Sequence, residues 1–133
     1  LNQWFSLSSK KKLKDYNLQY KDLILVGFSQ GTMVALNLTL TMKEEVRGVL
    51  GYSGGLILTK SGKINIISKP NICLIHGQDD EVVPKKMMET TEIILKDNNI
   101  DADTHLIENL SHSINEEGLE IGQNFLVKYL LKC

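Results

Sequence analysis

The chain is short of several residue types, and each shortage excludes something. Among its 133 residues there are two cysteines, two prolines and one tryptophan. No apolar stretch approaches the ~20 residues needed to cross a bilayer, so no integral membrane segment is expected. Cys73 lies in the apolar run NICLIH and Cys133 ends the chain. Two thiols so placed exclude a disulfide framework; they read as one buried and one frayed cysteine, in keeping with a reducing cytoplasm. An excess of one charge is also missing, because 15 Lys and Arg stand against 16 Asp and Glu, a net charge of -1. That balance argues against nucleic acid as a partner. The strongest basic cluster, Lys10, Lys11, Lys12 and Lys14, is expected to be a solvated face. Nothing near the N-terminus has the layout of a secretory signal, and there is no repeat or low-complexity tract. The first residue is Leu1, not Met, so upstream sequence is expected. With 42% hydrophobic residues, residues 1–133 suffice for a single domain with a real core, residues 1–20 being its least defined part.

What is present is organised around DLILVGFSQGTMVAL, Asp22 to Leu36. An apolar run (Leu23, Ile24, Leu25, Val26) meets GFSQG, and an apolar helix-forming stretch follows at once. Strand, sharp turn and helix form the setting of a nucleophilic serine, with Gly27 and Gly31 expected to make room where strand and helix meet and Ser29 on a strained turn. The helix N-terminus behind it favours developing negative charge. GxSxG alone is weak, since it arises by chance in roughly one chain of this length in twenty-five. It occurs twice here, for Gly51, Tyr52, Ser53, Gly54 and Gly55 match as well. The residues after Ser53 (GGLILTKSGKIN) begin no helical period, which makes Ser53 a loop residue and favours Ser29.

Strand and helix patterns then alternate. Thr32 to Met42 reads as a central helix, Val46 to Tyr52 and Asn71 to His76 as strands, and Pro84 to about Lys96 as a helix stopped by Asp97, Asn98 and Asn99. Asp103 to Glu108 reads as a fourth strand and Asn115 or Glu116 starts the last helix. Its expected buried stripe is Leu119, Phe125, Leu126, Tyr129 and Leu130, with Glu116, Glu117 and Glu120 at one end and Lys128 and Lys132 at the other, complementing the helix dipole. At the N-terminus, Trp4 and Phe5 are expected to anchor a loose segment, and Ser8 or Ser9 to cap a short helix through Tyr16. The predicted fold class is α/β, a mainly parallel sheet covered by helices on both faces.

In such a sheet functional groups gather at the carboxyl ends of the strands. Ser29, HGQDDEVVP (His76 to Pro84) and LSHSI (Leu110 to Ile114) all meet that condition. Serine, acid, histidine is the chain order of an α/β-hydrolase triad. A serine hydroxyl is a weak nucleophile until a base takes its proton, and His112 is the candidate base. An acid on the other ring nitrogen fixes the tautomer; Asp79, Asp80 and Glu81 are barely separable by sequence, with Asp80 preferred. The backbone N–H of Gln30 is a candidate oxyanion donor. His105, inside a strand, is expected to be structural and His76 to hydrogen-bond within its turn. A metal site built from His76, Asp79, Asp80 and His112 lacks zinc-type spacing, and no cofactor is expected.

At these residues the sequence resembles the phospholipase/carboxylesterase family of α/β-hydrolases, which includes acyl-protein thioesterases. The resemblance rests on GFSQG, on HGQDDEVVP and on the histidine of SHSI. It implies that Ser29 is the nucleophile, Asp80 the acid and His112 the base, that Leu56 and Ile57 border the acyl pocket, and that the chain is the C-terminal portion of the fold. Implied substrates are small-molecule or lipid esters and thioesters. Thr32 and Ser111 stand where the family commonly has glycine. The aromatic pair Trp4 and Phe5 is similar to one that the family carries a full helix upstream of the elbow strand, so that helix is expected to be shortened or lost. The family's first strands, and the early His-Gly loop with its second oxyanion donor, have no counterpart in these residues. An elbow strand with an open edge is then a site for pairing with another chain, including self-association. Two other readings stand beside ester hydrolysis: a peptidase or dienelactone-type hydrolase, and a catalytically impaired hydrolase portion acting as an interaction module.

Overall fold

The structure is a computed structural model that describes residues 2–131; Lys132 and the Cys133 thiol lie outside the described residues. Four parallel strands, β1 (Ile24–Phe28), β2 (Gly48–Tyr52), β3 (Asn71–Gly77) and β4 (Asp103–Ile107), lie side by side in chain order. Among the described residues the α-helices are α1 (Asn2–Asp15), which precedes β1, α2 (Gln30–Thr41) between β1 and β2, α3 (Lys86–Asp97) between β3 and β4, and α4 (Glu116–Leu130), which follows β4. The segment between β2 and β3 crosses without a helix. Among the described residues no helix is long and apolar enough to cross a membrane.

The two-residue period of the strands splits the core. Val49, Ile72 and Leu74 pack with Leu36, Leu40, Met88 and Leu95 on the face of α2 and α3. Leu50, Tyr52, Cys73 and Ile75 point to the other face, where Phe125 of α4 meets them. The central strands β2 and β3 are buried almost throughout, as parallel strands covered on both sides must be. Burial pushes the Cys73 thiol up to about 12, helped by the negative charge of Asp103, so the sulfur keeps its proton unless a bound cation displaces it. β1 lies at the edge of the sheet with Val26 and Phe28 exposed, the open edge expected from sequence.

Three expectations need correction. The N-terminal segment is not loose: residues up to Asp15 form a 14-residue helix that contains the aromatic pair, and Ser9 sits inside it instead of capping it. Phe5, Ser9 and Leu13 recur every fourth residue, but the stripe is held partly by a polar contact, Ser9 Oγ lying 2.7 Å from the Tyr20 hydroxyl, which an apolar-period reading overlooks. Lys10, Lys11, Lys12 and Lys14 are exposed on its outer side, and Trp4 is exposed too, so Phe5 alone of the pair packs on the core. Second, the expected stripe of α4 holds only in part. Phe125 is buried and Leu126 and Tyr129 pack partly on the core, but Leu119 and Leu130 are exposed and the inward face is completed by Gly118 and Gly122. The Tyr52 ring decides this, because its hydroxyl donates to the Gly118 carbonyl at 3.0 Å and the missing side chain of Gly122 lets the helix come so close. Third, an added Cβ at Gly31 would meet nothing within 4 Å, so this glycine is not needed for space.

The Tyr52 wedge yields a paired prediction. A Cβ at Gly122 would fall 2.0 Å from the Tyr52 hydroxyl, whereas one at Gly118 has no neighbour nearer than 3.4 Å. Gly122→Ala is expected to lower unfolding free energy by about 1–3 kcal/mol despite the better helix propensity of alanine. Gly118→Ala should be neutral or mildly stabilising. Urea unfolding of the two variants in parallel measures the contrast.

Candidate active site

The apolar run of β1 extends to Phe28, and the chain must reverse at Ser29 to start α2. Ser29 has φ 56° and ψ -116°, a conformation that disfavours any side chain and stores about 1–3 kcal/mol. Neighbouring groups hold it there. Its N–H donates to the Tyr52 carbonyl at 2.8 Å, and its carbonyl accepts from Thr32 and Met33 at 3.1 and 3.2 Å. Gly27 is indispensable to the turn, since a Cβ would lie 2.5 Å from the Thr32 nitrogen and 2.6 Å from the Gly31 carbonyl carbon. Thr32, where the resemblance led one to look for glycine, is fully buried and donates its hydroxyl to the Tyr52 carbonyl at 2.8 Å. Its bulk is met by Gly51 and Gly54, whose own Cβ atoms would strike it. The second GxSxG therefore owes Gly51 to packing against the elbow helix, and Gly55 to α3, where a Cβ would fall 2.4 Å from Thr91 Oγ1. Ser53 itself is 1% exposed and is followed by irregular chain, so it is the loop residue expected and offers no accessible hydroxyl.

Of the three adjacent carboxylates, Asp79 and Glu81 are exposed and Asp80 is buried. Asp80 Oδ1 accepts the N–H groups of Val82 and Val83 at 2.9 and 2.8 Å, closing a tight turn. Its Oδ2 lies 2.7 Å from His112 Nδ1. Burial pushes the Asp80 carboxyl up, but the hydrogen bonds from His112, Val83 and Val82 and the attraction of His112 outweigh it, holding the carboxyl below its ordinary value. A depressed acid stabilises the fold fully above its unfolded pKa of about 3.9 and loses that contribution as pH falls through the lower folded value. Acid unfolding should accordingly show a smaller pH dependence in this range for Asp80→Asn than for the unsubstituted chain, read from urea midpoints between pH 5 and 2.

The two loops are pinned together by their backbones. Asp79 N–H donates to the Leu110 carbonyl at 2.9 Å, and Gly77 has no room for a Cβ, which would come within 2.3 Å of the Leu110 and Ser111 oxygens. Asn109, at φ 57°, turns the chain after β4 so that His112 faces back toward Asp80. The His112 ring then rests on Phe28, with centroids 4.9 Å apart, directly beside the elbow. No hydrogen bond joins Ser29 Oγ to His112 among the described residues; such contacts are often long without substrate. Gln30 begins α2, placing its N–H among the unpaired donors of the helix start. Leu56 is buried in the core, its N–H bound to Thr91 Oγ1 at 2.9 Å, whereas Ile57 is exposed along a cleft of about 460 Å³ with Met33, Val34 and Asn37. None of Ser29, Asp80 or His112 lines that cleft.

Sequence reasoning missed two supporting residues. His76 is fully buried, hydrogen-bonds the Val83 carbonyl through Nε2 at 2.7 Å, and holds the same nitrogen 3.4 Å from Asp80 Oδ2. It does bond within its turn, as expected, but it also backs the acid; its four-residue spacing from Asp80 was the available signal. Phe28 was hidden because the residue before the serine has no required type.

Comparisons with known proteins identify the family of the chain. The sequence profile of the phospholipase/carboxylesterase family matches residues 3–130. An acyl-protein thioesterase 1 of Gibberella zeae is 30% identical over 115 residues, covering 81% of this chain and 48% of that protein. One from Aspergillus fumigatus is 29% identical over 133 residues, covering 96% and 55%. Among solved structures, esterase PE8 superposes with a TM-score of 0.81 at 38% identity, covering 89% of this chain and 57% of that one. Arabidopsis thaliana SOBER1 has a TM-score of 0.79 at 22% identity, covering 94% and 60%, a likeness of fold alone. The chain thus spans about half the length of the curated relatives it matches. The profile runs through every element from α1 to α4, the fold is the C-terminal portion of an α/β-hydrolase, and the chain belongs to the phospholipase/carboxylesterase family of carboxylic ester hydrolases.

Proposed function

We propose that residues 1–133 are one partial α/β-hydrolase domain carrying the triad of a serine hydrolase that cleaves carboxylic esters or thioesters through an acyl-enzyme. The observation that carries this reading is the buried Asp80 carboxylate 2.7 Å from His112 Nδ1, with the imidazole laid on Phe28 next to Ser29. Asp80 holds the tautomer in which Nδ1 bears the proton and Nε2 is the free base. Nε2 takes the Ser29 proton as Oγ attacks the carbonyl, the Gln30 N–H donates to the developing oxyanion, and His112 then protonates the departing alcohol or thiol. Water, activated by the same nitrogen, releases the acid. No cofactor takes part. Ile57, exposed on the cleft beside α2, is the candidate for acyl contact, with Leu56 only supporting it from the core, and a small-molecule, lipid or protein-linked ester or thioester is the substrate class. The setting is cytoplasmic.

A fluorophosphonate probe tests the reading. Peptide mass spectrometry is expected to place the adduct on Ser29, whereas an adduct on Ser53, or none on the complete protein, would overturn it. The open β1 edge, with Val26 and Phe28 exposed, favours a second reading: an interaction module that pairs with a further strand or with another copy. Hydrolysis of p-nitrophenyl butyrate by this chain alone, lost in His112→Ala, would exclude that alternative.

A further inference from the structure

We propose that Cys73, Asp103 and His105 form a binding site for a zinc ion, separate from the triad and tying β4 to β3. Cys73 and Asp103 are register partners across the two strands, and His105 follows Asp103 by two residues on the same face. The thiol, a carboxylate oxygen and an imidazole nitrogen all lie within 4.8 Å of one another. Zinc bonds of about 2.0–2.3 Å place ligand atoms somewhat closer together than this limit, within reach of small side-chain rotations.

A second observation points into the same spot. His105 Nε2 is buried and has no hydrogen-bond partner, although Asp103 Oδ1 is only 3.0 Å away. At that distance the pair still forms no hydrogen bond, so the ring nitrogen is left free to meet a ligand. A buried ring nitrogen without a partner is unfavourable unless something else satisfies it.

The donor set selects the ion. One sulfur, one nitrogen and one oxygen suit zinc, whereas magnesium and calcium are held by oxygen alone. The Asp103 side chain is 63% exposed, which leaves a fourth position open to water. Asp101 and Lys128 also line the adjoining cleft under α4; Asp101 adds favourable charge, and the Lys128 ammonium lies 5.2 Å from the Tyr129 ring centroid. A nucleophilic role for the cysteine is excluded, since Cys73 is fully buried. Cys73 and Asp103 sit in the amino-terminal halves of their strands, whereas the triad loops leave the carboxyl ends. The ion is therefore a brace for the edge strand and takes no part in ester cleavage, so the inference stands whether or not the hydrolase reading does.

Cobalt substitution tests it, using the full chain with Cys133→Ser so that Cys73 is the remaining thiol. One equivalent of Co²⁺ is expected to give a thiolate-to-cobalt charge-transfer band and tetrahedral visible bands, both abolished by competing Zn²⁺. Cys73→Ala should lose the charge-transfer band, and Asp103→Asn and His105→Gln should weaken binding by at least about tenfold. Zn²⁺ should raise Tm of the parent chain and leave the Asp103→Asn/His105→Gln double variant unmoved. Absence of the charge-transfer band in the parent, or an equal Zn²⁺ effect on Tm in the double variant, overturns the site. Both latter substitutions lie on the partly exposed edge strand, so they decide the matter even if Cys73→Ala fails to fold.

Discussion

Ser29→Ala is expected to lower kcat for p-nitrophenyl ester hydrolysis by about 10⁴- to 10⁶-fold and to abolish fluorophosphonate labelling. The size follows from the chemistry, because the covalent route disappears and what remains is whatever binding and the Gln30 donor supply. The backbone of the turn does not depend on the hydroxyl. It is held by the Ser29 N–H bond to Tyr52 and by the Thr32 and Met33 bonds to the Ser29 carbonyl, all of which alanine keeps. Far-UV circular dichroism should therefore be unchanged. Alanine also keeps the unfavourable φ of 56°, whereas glycine relieves it. Ser29→Gly should accordingly be more stable than Ser29→Ala, the relief of about 1–3 kcal/mol outweighing the ~0.4–1 kcal/mol that glycine loses through a more flexible unfolded chain. Residual turnover within tenfold of the parent, or labelling that moves to Ser53, would remove Ser29 from the mechanism.

Asp80→Asn comes next in size, with an expected fall in kcat of about 10⁴-fold and little change in KM. The amide oxygen still accepts from Val82 and Val83, so the turn survives. The amide nitrogen, however, replaces the carboxylate oxygen that faces His112 Nδ1 at 2.7 Å. It donates where an acceptor stood, and the ring answers by moving its proton to Nε2. That nitrogen can then no longer take the Ser29 proton. Asp79→Asn and Glu81→Gln serve as controls, since both side chains are exposed and neither meets the histidine. Their kcat values should stay within a few-fold of the parent, and a loss at Asp79 equal to that at Asp80 would reassign the acid.

Much of the fold and of the site is legible in the residues themselves. Strand β3 can be read from NICLIH because a strand covered on both faces must be apolar along its whole length. The Ser29 turn can be read because only glycine at position 27 permits the backbone approach that the elbow makes. Helix α1 escapes such a reading for an identifiable reason: Ser9 belongs to its inward face by bonding Tyr20, eleven residues later, and no periodicity of apolar residues records such a bond.

Sequence alone determined the order of the four strands and of helices α2 to α4, the strand-turn-helix at Ser29, the loop position of Ser53, and the loops that hold Asp80 and His112. Those features depend on backbone sterics and on the repeat of apolar residues along one segment, which are local properties. Tertiary structure decided which of three neighbouring carboxylates is buried against His112, which residues of α4 turn inward, and that His76 stands behind Asp80 and Phe28 under the His112 ring. It also brought Cys73 beside Asp103 and His105, some thirty residues away, through the register of two parallel strands. Each of these depends on the packing of side chains distant in sequence, and a long-range contact leaves no mark in the composition of either segment that makes it.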